Sequence, residues 1–239
     1  MKITINAGAF AEAVAWTAHA LPRSSPHPVL NGIRLEAVDG ELALAAFDYD
    51  TSRRCTVPAD VADDGLVLLP GRVLAEVAKA LPAGDVYLHI TDGMVAVSAA
   101  DRRTTFRLLD PEYPKWRKLL DFECEKWATL DNVAELAAAI RRVALVAERA
   151  TPVRLRFAPR ELTVSAGGGE VGRGQEVVDV DYDGEPFEIA AMPAYLLNAF
   201  AAFSSRARVG MNDPHRPMLF VPPGVDPELR YLVMPIRQS

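Results

Sequence analysis

The sequence predicts an α+β fold in which a helix followed by antiparallel strands occurs four times along 239 residues. Three observations support this prediction. Four Ala-rich segments have apolar residues at helical spacing, strand-like sequence follows each of them, and the segments recur at intervals of about 60 residues, a scale typical of repeated architecture. Two such repeats make a domain of ordinary size, so we expect two domains, each with two helices packed on antiparallel sheets.

The four helices are predicted from apolar residues that return every three or four positions. They are expected at Phe10–Leu21, Gly71–Leu81, Asn132–Arg149 and Pro193–Phe203. Their apolar stripes are Phe10, Val14, Thr17 and Leu21; Val73, Val77 and Leu81; Val133, Leu136, Ile140, Val143 and Ala147; and Leu196, Phe200 and Phe203. Pro70, Asp131 and Pro193 are expected to start the last three helices, because proline and aspartate are favoured there.

Strand-like sequence follows every helix, and turn residues divide it into short segments. Asp39-Gly40 and Asp92-Gly93 indicate hairpins, since Asp-Gly suits a tight turn between antiparallel strands. The N-terminal segment Met1–Asn6 also alternates like a strand. The other predicted strands are Gly32–Ala37, Glu41–Phe47, Arg53–Val57, Asp85–Ile90, Met94–Ala99, Thr104–Leu109, Val153–Phe157, Glu161–Ala166, Glu176–Tyr182, Arg208–Asn212, Met218–Val221 and Tyr231–Arg237.

A domain boundary is predicted within Asp110–Lys126, where Pro111, Pro114 and a cluster of charges interrupt the periodicity. A division there gives domains of nearly equal length, residues 1–118 and 119–239. The pattern alone leaves one alternative, a single irregular α+β domain.

The composition is typical of a soluble globular protein, with 50% hydrophobic and 24% charged residues. No apolar run approaches the roughly 18 residues of a membrane helix, and the N-terminal segment lacks the apolar core of a signal peptide. Cys55 and Cys124 are far apart and have no metal-ligand spacing, so a reduced, cytoplasmic protein is expected. The net charge of −6 argues against binding nucleic acid through the whole surface, although a single basic face is compatible with it.

No constellation of catalytic residues is visible in the sequence. The four histidines are scattered without metal-ligand spacing, and Ser24, Ser25 and Cys55 have no identifiable base partner. Gly167–Gly172 satisfies the G-x-G-x-x-G pattern, but Gln175–Val180 after it resembles a strand, whereas a dinucleotide site requires a helix. We therefore predict a flexible hairpin connection there, no cofactor, no metal and no enzymatic activity.

Four motifs, the first of them in two parts, resemble the bacterial DNA polymerase III β subunit family, the sliding clamps. Leu30–Glu36 and the following Asp39–Leu42 look like the start of a domain of this family. Leu108–Pro114 resembles the family's segment between domains, and Tyr231–Arg237 is similar to its closing strand. Val143–Arg149 looks like actinobacterial clamps in particular. The resemblance covers nearly the whole chain, and the order of the segments makes it specific.

The resemblance implies a DNA-clamp fold and a role as a processivity factor that encircles duplex DNA without reading its sequence. It implies DNA polymerase or repair partners that bind through a short linear motif, a clamp loader, and an association with the nucleoid. The family has three domains per chain and six per ring, whereas two are predicted here, so a homotrimer is expected by analogy with archaeal and eukaryotic clamps. The N-terminal half resembles the family's first domain up to about Val57 and then its middle domain towards Asp110; the C-terminal half resembles the last domain.

Helices line the central hole in this family, so basic residues on or near the helices are the candidate DNA contacts. Seven basic residues and four glutamates, Glu12, Glu76, Glu135 and Glu148, give the helix surfaces a net charge of +3. The rest of the chain must then carry a net charge of −9. This segregation fits a basic channel, although basic residues on solvated helix faces are also ordinary. The candidates are Arg23, Arg72, Lys79, Arg141, Arg142, Arg149 and Arg206.

The resemblance also implies an apolar cleft for the partner peptide. A Met and branched aliphatic residues suit an extended peptide, although Leu30 and Leu74 would equally suit the core, and Tyr231–Arg237 an edge strand. The family's Thr-Asp-Gly-His-Arg-Leu wall is replaced here by Phe47–Ser52, so altered or lost peptide binding is expected. The matching positions are Leu30, Pro70, Leu74, Leu232, Met234, Pro235, Ile236 and Arg237.

The changed wall and the predicted two domains also leave a second function open. A non-replicative clamp paralogue would bind clamp partners, or inhibitors directed at the clamp, without encircling DNA. A closed ring retained on circular DNA favours the first function, and peptide binding by a monomer favours the second.

Overall fold

A computed structural model describes residues 1–22, 25–110, 123–146, 151–168, 172–203, 205–224 and 229–236. The chain divides into two compact units. Unit 1 contains Met1–Asp48 and Ser52–Trp116, and unit 2 contains Tyr49–Thr51 and Arg117–Ser239. The predicted boundary between residues 118 and 119 lies outside the described residues and stays a prediction.

Unit 1 contains two helices, α1 (Ala7–Ala18) and α2 (Gly71–Lys79), which contact each other. A short 3₁₀ turn, Pro28–Asn31, leads into the strands that follow α1. The strands described in this unit are β1 (Lys2–Asn6), β2 (Gly32–Val38), β3 (Glu41–Phe47), β4 (Thr51–Pro58), β5 (Asp60–Asp63), β6 (Gly65–Pro70), β7 (Asp85–Thr91), β8 (Met94–Ala99) and β9 (Arg102–Arg107).

The two repeats of unit 1 exchange their first strands. The strand orders are β5-β1-β7-β8-β9 and β4-β3-β2-β6. Strand β1 precedes α1 but pairs antiparallel with β7, which follows α2. Strand β6 precedes α2 but pairs antiparallel with β2, which follows α1. Neither repeat can therefore complete its sheet alone, which makes the pair of repeats the folding unit.

Unit 2 repeats this arrangement. Its helices are α3 (Val133–Ala144) and α4 (Pro193–Phe200), which contact each other. Its strand orders are β10-β15-β16-β17 and β13-β12-β11-β14, so β10 and β14 are again the exchanged first strands. The strands are β10 (Lys126–Leu130), β11 (Val153–Ala158), β12 (Glu161–Gly167), β13 (Arg173–Asp179), β14 (Phe187–Ala191), β15 (Ala207–Met211), β16 (Met218–Val221) and β17 (Leu229–Val233).

The mixed helix and antiparallel-sheet fold confirms the predicted α+β class, but the predicted repeat is incomplete. Each repeat begins with a strand before its helix, and the sequence pattern did not predict β6, β10 or β14. In β6 the residues Val67, Leu68 and Leu69 are all buried, so the strand has no polar alternation to reveal it. Strand β5 was also not predicted, and its residues are mostly exposed.

The helix starts match the predictions only in part. Pro193 is the first residue of α4, and Pro70 precedes α2, as predicted. The N-cap of α3 is Asn132 rather than Asp131, because the Asn132 side chain accepts a hydrogen bond from the Glu135 N–H at 3.1 Å.

The predicted apolar stripe of α2 is wrong in register. The buried residues are Gly71, Leu74 and Ala78, whereas Val73 is 45% exposed. A Cβ atom on Gly71 would lie 2.6 Å from Leu21 Cδ1, so α2 approaches this leucine too closely for a larger side chain. Gly71 and Ala78 are small and add little to an apolar pattern, so the prediction followed the larger Val73 and Val77 instead.

Several predicted ends are also displaced. Helices α1, α2 and α4 end two or three residues before the predicted ends, and the predicted end of α3, Arg149, lies outside the described residues. Strands β9, β13 and β17 begin two or three residues earlier than predicted. Strand β9 begins early because the turn at Ala100, with φ of +49°, pairs Ala99 directly with Arg102.

The cores of the units contain most of the predicted apolar residues. Helix α3 buries its predicted stripe from Val133 to Val143, and in α4 the ring of Phe200 meets Phe220 edge-on at 5.7 Å. No helix in the described ranges is long and apolar enough to cross a bilayer.

Candidate DNA-contacting and partner-binding residues

Two of the predicted DNA contacts, Arg72 and Lys79, lie exposed on α2 in unit 1. Arg72 Nη2 donates a hydrogen bond to the Pro22 carbonyl at 2.9 Å, which ties α2 to the chain beyond α1. Arg72, Glu76 and His19 line a surface cleft of 520 Å³. Because Glu76 is exposed as well, this face of unit 1 is basic only in part.

A buried arginine, which sequence reasoning did not single out, holds the end of α1. Arg53 is only 3% exposed, and its Nη1 donates to the Trp16 carbonyl at 3.0 Å. Its guanidinium carbon lies 5.1 Å from the centre of the Trp16 ring, within the range of a cation–π contact. A cation at a helix C-terminus is favoured by the helix dipole. The sequence signal was the alternation in β4, which places Arg53 on the same buried face as Cys55.

His19 ends α1 and is coupled to this arginine. Burial lowers the pKa of His19, and the positive charge of Arg53 lowers that pKa further. The neutral imidazole is therefore favoured where α1 ends.

In unit 2 the predicted contacts Arg142 and Arg206 are engaged with carboxylates. Arg142 Nε and Nη2 donate to the two carboxylate oxygens of Glu176 at 2.8 and 2.6 Å. This hydrogen bond is the main reason why the pKa of Glu176 is lowered and that of Arg142 is raised. Arg206 Nε donates to Asp131 at 2.7 Å. Each of these arginines is paired with a carboxylate, so a count of basic residues overstates the positive charge that DNA would meet.

Lys79 and Arg141 are the predicted contacts whose charge is most available. Both are exposed, and neither forms a hydrogen bond or ion pair through its side chain within the described residues. Arg23 and Arg149 lie outside the described residues.

The predicted pocket residues of unit 1 lie in or beside its core. Leu30 is 3% exposed and Leu74 is fully buried, which matches their interpretation as core residues. Pro70, at the start of α2, is partly exposed.

The predicted pocket residues of unit 2 form a more accessible wall. Leu232 is buried, whereas Met234, Pro235 and Ile236 are partly exposed. The Ile236 N–H donates to the Ala190 carbonyl at 2.8 Å, which holds this segment, residues 234–236, against β14. Arg237 lies outside the described residues. A small cleft of 140 Å³ adjoins Ile236 and is lined by Glu188, Ile189, Ala190, Pro214, His215 and Ile236.

One residue of the altered wall segment contacts the same region. The Tyr195 hydroxyl donates to Asp50 Oδ2 at 2.7 Å, and the Met234 N–H donates to the Asp50 carbonyl at 2.8 Å. These residues are separated by 145 positions or more along the chain, so no local pattern could have revealed the contact.

The described residues offer few groups for chemistry. Among them, no group of three or more His, Cys, Asp or Glu side chains could hold a metal ion. Burial raises the pKa of the Cys124 thiol to about 11, which disfavours the nucleophilic thiolate. The glycine-rich segment connects the antiparallel strands β12 and β13, and its Gly168 N–H donates to the Gly172 carbonyl at 2.9 Å. This confirms a hairpin connection, and a strand follows the glycine-rich segment where a dinucleotide site would need a helix.

Two family models together match nearly the whole chain. The model described as DNA polymerase III beta subunit, N-terminal domain, matches residues 1–116. The model described as DNA polymerase III beta subunit, C-terminal domain, matches residues 117–237.

Individual relatives agree with these models. The beta sliding clamp of Streptomyces coelicolor is 34% identical over 99% of this chain and 66% of its own length. That of Caulobacter vibrioides is 30% identical over 99% of this chain and 66% of its own length. The crystal structure of the Bacillus subtilis DNA polymerase sliding clamp matches with a TM-score of 0.90 and 26% identity, over 100% of this chain and 65% of that one. This chain thus spans about two thirds of the length of these relatives, and it belongs to the DNA polymerase III beta subunit family.

Proposed function

We propose that this chain is a sliding-clamp subunit, a non-catalytic processivity factor that encircles duplex DNA in the nucleoid and tethers DNA polymerase or repair proteins to it. The observation that carries the proposal is the match of both units to the beta subunit family over residues 1–237. The fold likeness to a solved sliding clamp, with a TM-score of 0.90 over the whole chain, supports it independently of the short motifs.

The helices are the proposed DNA-facing surfaces of each unit. Exposed Lys79 on α2 and exposed Arg141 on α3 would meet phosphates directly, without reading bases. Arg142 and Arg206 would contribute less, since Glu176 and Asp131 already bind them. Such loose, phosphate-directed contacts suit a protein that slides.

The ring is proposed to be a homotrimer. A chain of these 239 residues contributes two units, so a six-domain ring needs three such chains. Two exposed edge strands support head-to-tail association, because edge strands present unpaired backbone groups. Strand β9, at the edge of its sheet in unit 1, carries Arg102, Arg103 and Arg107. Strand β13, at the edge of its sheet in unit 2, carries Asp179 and Glu176, of which Glu176 already binds Arg142, together with Arg173.

The segment of residues 234–236 is the proposed docking wall for a clamp-binding linear motif, and a clamp loader would open the ring. The partial exposure of Met234, Pro235 and Ile236, together with the cleft beside Ile236, supports this role. An extended peptide with aliphatic side chains fits such a surface.

Light scattering coupled to gel filtration tests the proposed assembly. The expected mass is that of three chains of 26.0 kDa, or 78.0 kDa. Charge reversal on β9, Arg103→Glu with Arg107→Glu, should reduce the trimer fraction, because the new glutamates would repel the carboxylates of Asp179 and Glu176 on β13. The matched control for each single reversal, Arg103→Glu or Arg107→Glu, is Arg160→Glu, which lies in a turn of unit 2 away from β9 and β13. A 26.0 kDa monomer at all concentrations would contradict the ring and favour the paralogue that binds clamp partners as a monomer.

A further inference from the structure

Strands β7, β8 and β9 of unit 1 expose one face of their sheet to solvent. Along β7 every second residue is buried, and Tyr87, on the opposite face, is 54% exposed. The strand pairing places Ser98 of β8 beside Tyr87, and Arg103 of β9 beside Ser98. We call this surface the β7–β9 face, and its remaining members in the next two rows are His89, Ala96, Thr105, Thr91, Met94 and Arg107.

The two outer strands of the β7–β9 face present different chemistry. Tyr87 and His89 are exposed on β7, whereas Arg103 and Arg107 are exposed on β9. Opposite Tyr87 and His89, the central strand carries a serine and an alanine, whose small side chains keep the strip between the outer strands low. Neighbouring strands lie about 4.8 Å apart, so the aromatic side is roughly 10 Å from the cationic side.

The aromatic and cationic groups of this face are available to a ligand. Within the described residues, none of the side chains of Tyr87, His89, Arg103 and Arg107 forms a hydrogen bond or an ion pair. The acidic residues of the same segment lie at the start of β7 or in the turns between strands: Asp85, Asp92 and Asp101. The middle of the face therefore carries positive charge and an exposed ring without a carboxylate beside them.

Single-stranded nucleic acid matches this arrangement better than other polyanions do. Its unpaired bases stack on exposed aromatic rings, and its phosphates bind arginine. Duplex DNA keeps its bases paired inside and would offer only phosphates, and an acidic peptide would offer only carboxylates. Tyr87 and His89 are two residues apart on one strand, or about 7 Å, so two successive bases of an unstacked strand could reach them.

We propose that the β7–β9 face is a binding site for single-stranded nucleic acid, in which Tyr87 stacks on a base and the arginines of β9 hold phosphates. The site reads no sequence, because every base has a face that can stack. It is separate from the helices that are proposed to face duplex DNA. Pairing along the edge of β9 would use backbone groups, so Tyr87, two strands away, stays accessible with or without the proposed ring.

Fluorescence anisotropy with the full 239-residue chain and a labelled thymidine decamer tests the site. At low salt the decamer should bind, and Tyr87→Ala should weaken binding about fivefold or more, the loss expected for one stacked base. Tyr87→Phe keeps the ring and should bind like the unaltered chain. The matched control is Val38→Ala, which removes a side chain that is 44% exposed at the end of β2 and should not change the affinity.

Two further probes separate stacking from charge. A decamer of abasic sites has the same phosphates without bases, so it should bind the unaltered chain about fivefold or more weakly than the thymidine decamer. This difference should disappear in Tyr87→Ala, which has no ring to stack. A short blunt-ended duplex should bind Tyr87→Ala and the unaltered chain equally, because its bases are not free to stack.

Absence of decamer binding at low salt, equal binding by Tyr87→Ala, or equal affinities for the two decamers would overturn the inference. Displacement of the decamer by polyglutamate at the same concentration of charge would also overturn it, because an acidic peptide would then fit equally well. The proposed clamp is tested separately, since its assembly is measured by the mass in solution without any nucleic acid.

Discussion

Arg53 shows how one buried residue organises the end of a helix. It is 3% exposed, bonds the Trp16 carbonyl and lies over the Trp16 ring. Its charge also acts on His19, the residue that follows the last turn of α1. Arg53 thus fixes the last turn of α1 from the side of β4.

The lowered pKa of His19 predicts a pH dependence of stability. A histidine whose pKa is lower in the folded than in the unfolded chain binds fewer protons when folded. Its favourable contribution is complete above the unfolded value, about 6.5, and is lost as the pH falls from there through the folded value. The free energy of unfolding should therefore fall between pH 7.5 and 5.5 by more in the unaltered chain than in His19→Gln.

Urea denaturation at the two pH values measures this difference. His89→Gln on β7 is the matched control, since His89 is an exposed strand residue away from α1. Identical pH dependence in the unaltered chain and His19→Gln would show that His19 does not carry the effect.

At the scale of elements, α3 depends on the cap at its first turn. Asn132 accepts from the Glu135 N–H at 3.1 Å, and its amide donates to the Glu135 carboxylate at 3.0 Å. Asn132→Ala should lower the free energy of unfolding by about 1 kcal/mol, because an N–H at the helix start loses its acceptor. Asn132→Ser retains a capping oxygen and should lose much less. Thermal or urea denaturation compares the three proteins, and equal losses in both variants would contradict the capping role.

The elements also show which parts of the fold a sequence pattern can reveal. Strands β3, β8 and β16 were predicted with the observed bounds. Strands β6, β10 and β14 were missed because each lies directly before a helix and completes the sheet of the other repeat. Pairing between distant strands leaves no mark in a local window, so the exchange that unites two repeats could not be predicted.

The same limit applies to the candidate sites. The pattern identified exposed Lys79 and Arg141, because helix periodicity places them on solvent-facing positions. It could not show that Arg142 and Arg206 are bound by Glu176 and Asp131, which are distant in sequence. The bond from Tyr195 to Asp50 was hidden for the same reason.

At the scale of the whole molecule, the net charge constrains how the proposed clamp would hold DNA. The net charge is −6, so a clamp built from this chain must bring its available basic residues to one surface and direct its acidic residues elsewhere. A closed ring would then hold DNA by topology, and strong phosphate contacts would not be required.

Retention on circular DNA tests encirclement most directly. The protein is loaded onto a nicked circular plasmid by a clamp loader. Gel filtration then separates the complex from free protein at a salt concentration that disrupts ordinary phosphate contacts. Finally, an enzyme cuts the plasmid once. We predict that the protein remains with the circular plasmid and is lost after linearisation, because a ring slides off free ends. Equal retention before and after the cut, or no retention on the circle, would contradict the proposed clamp.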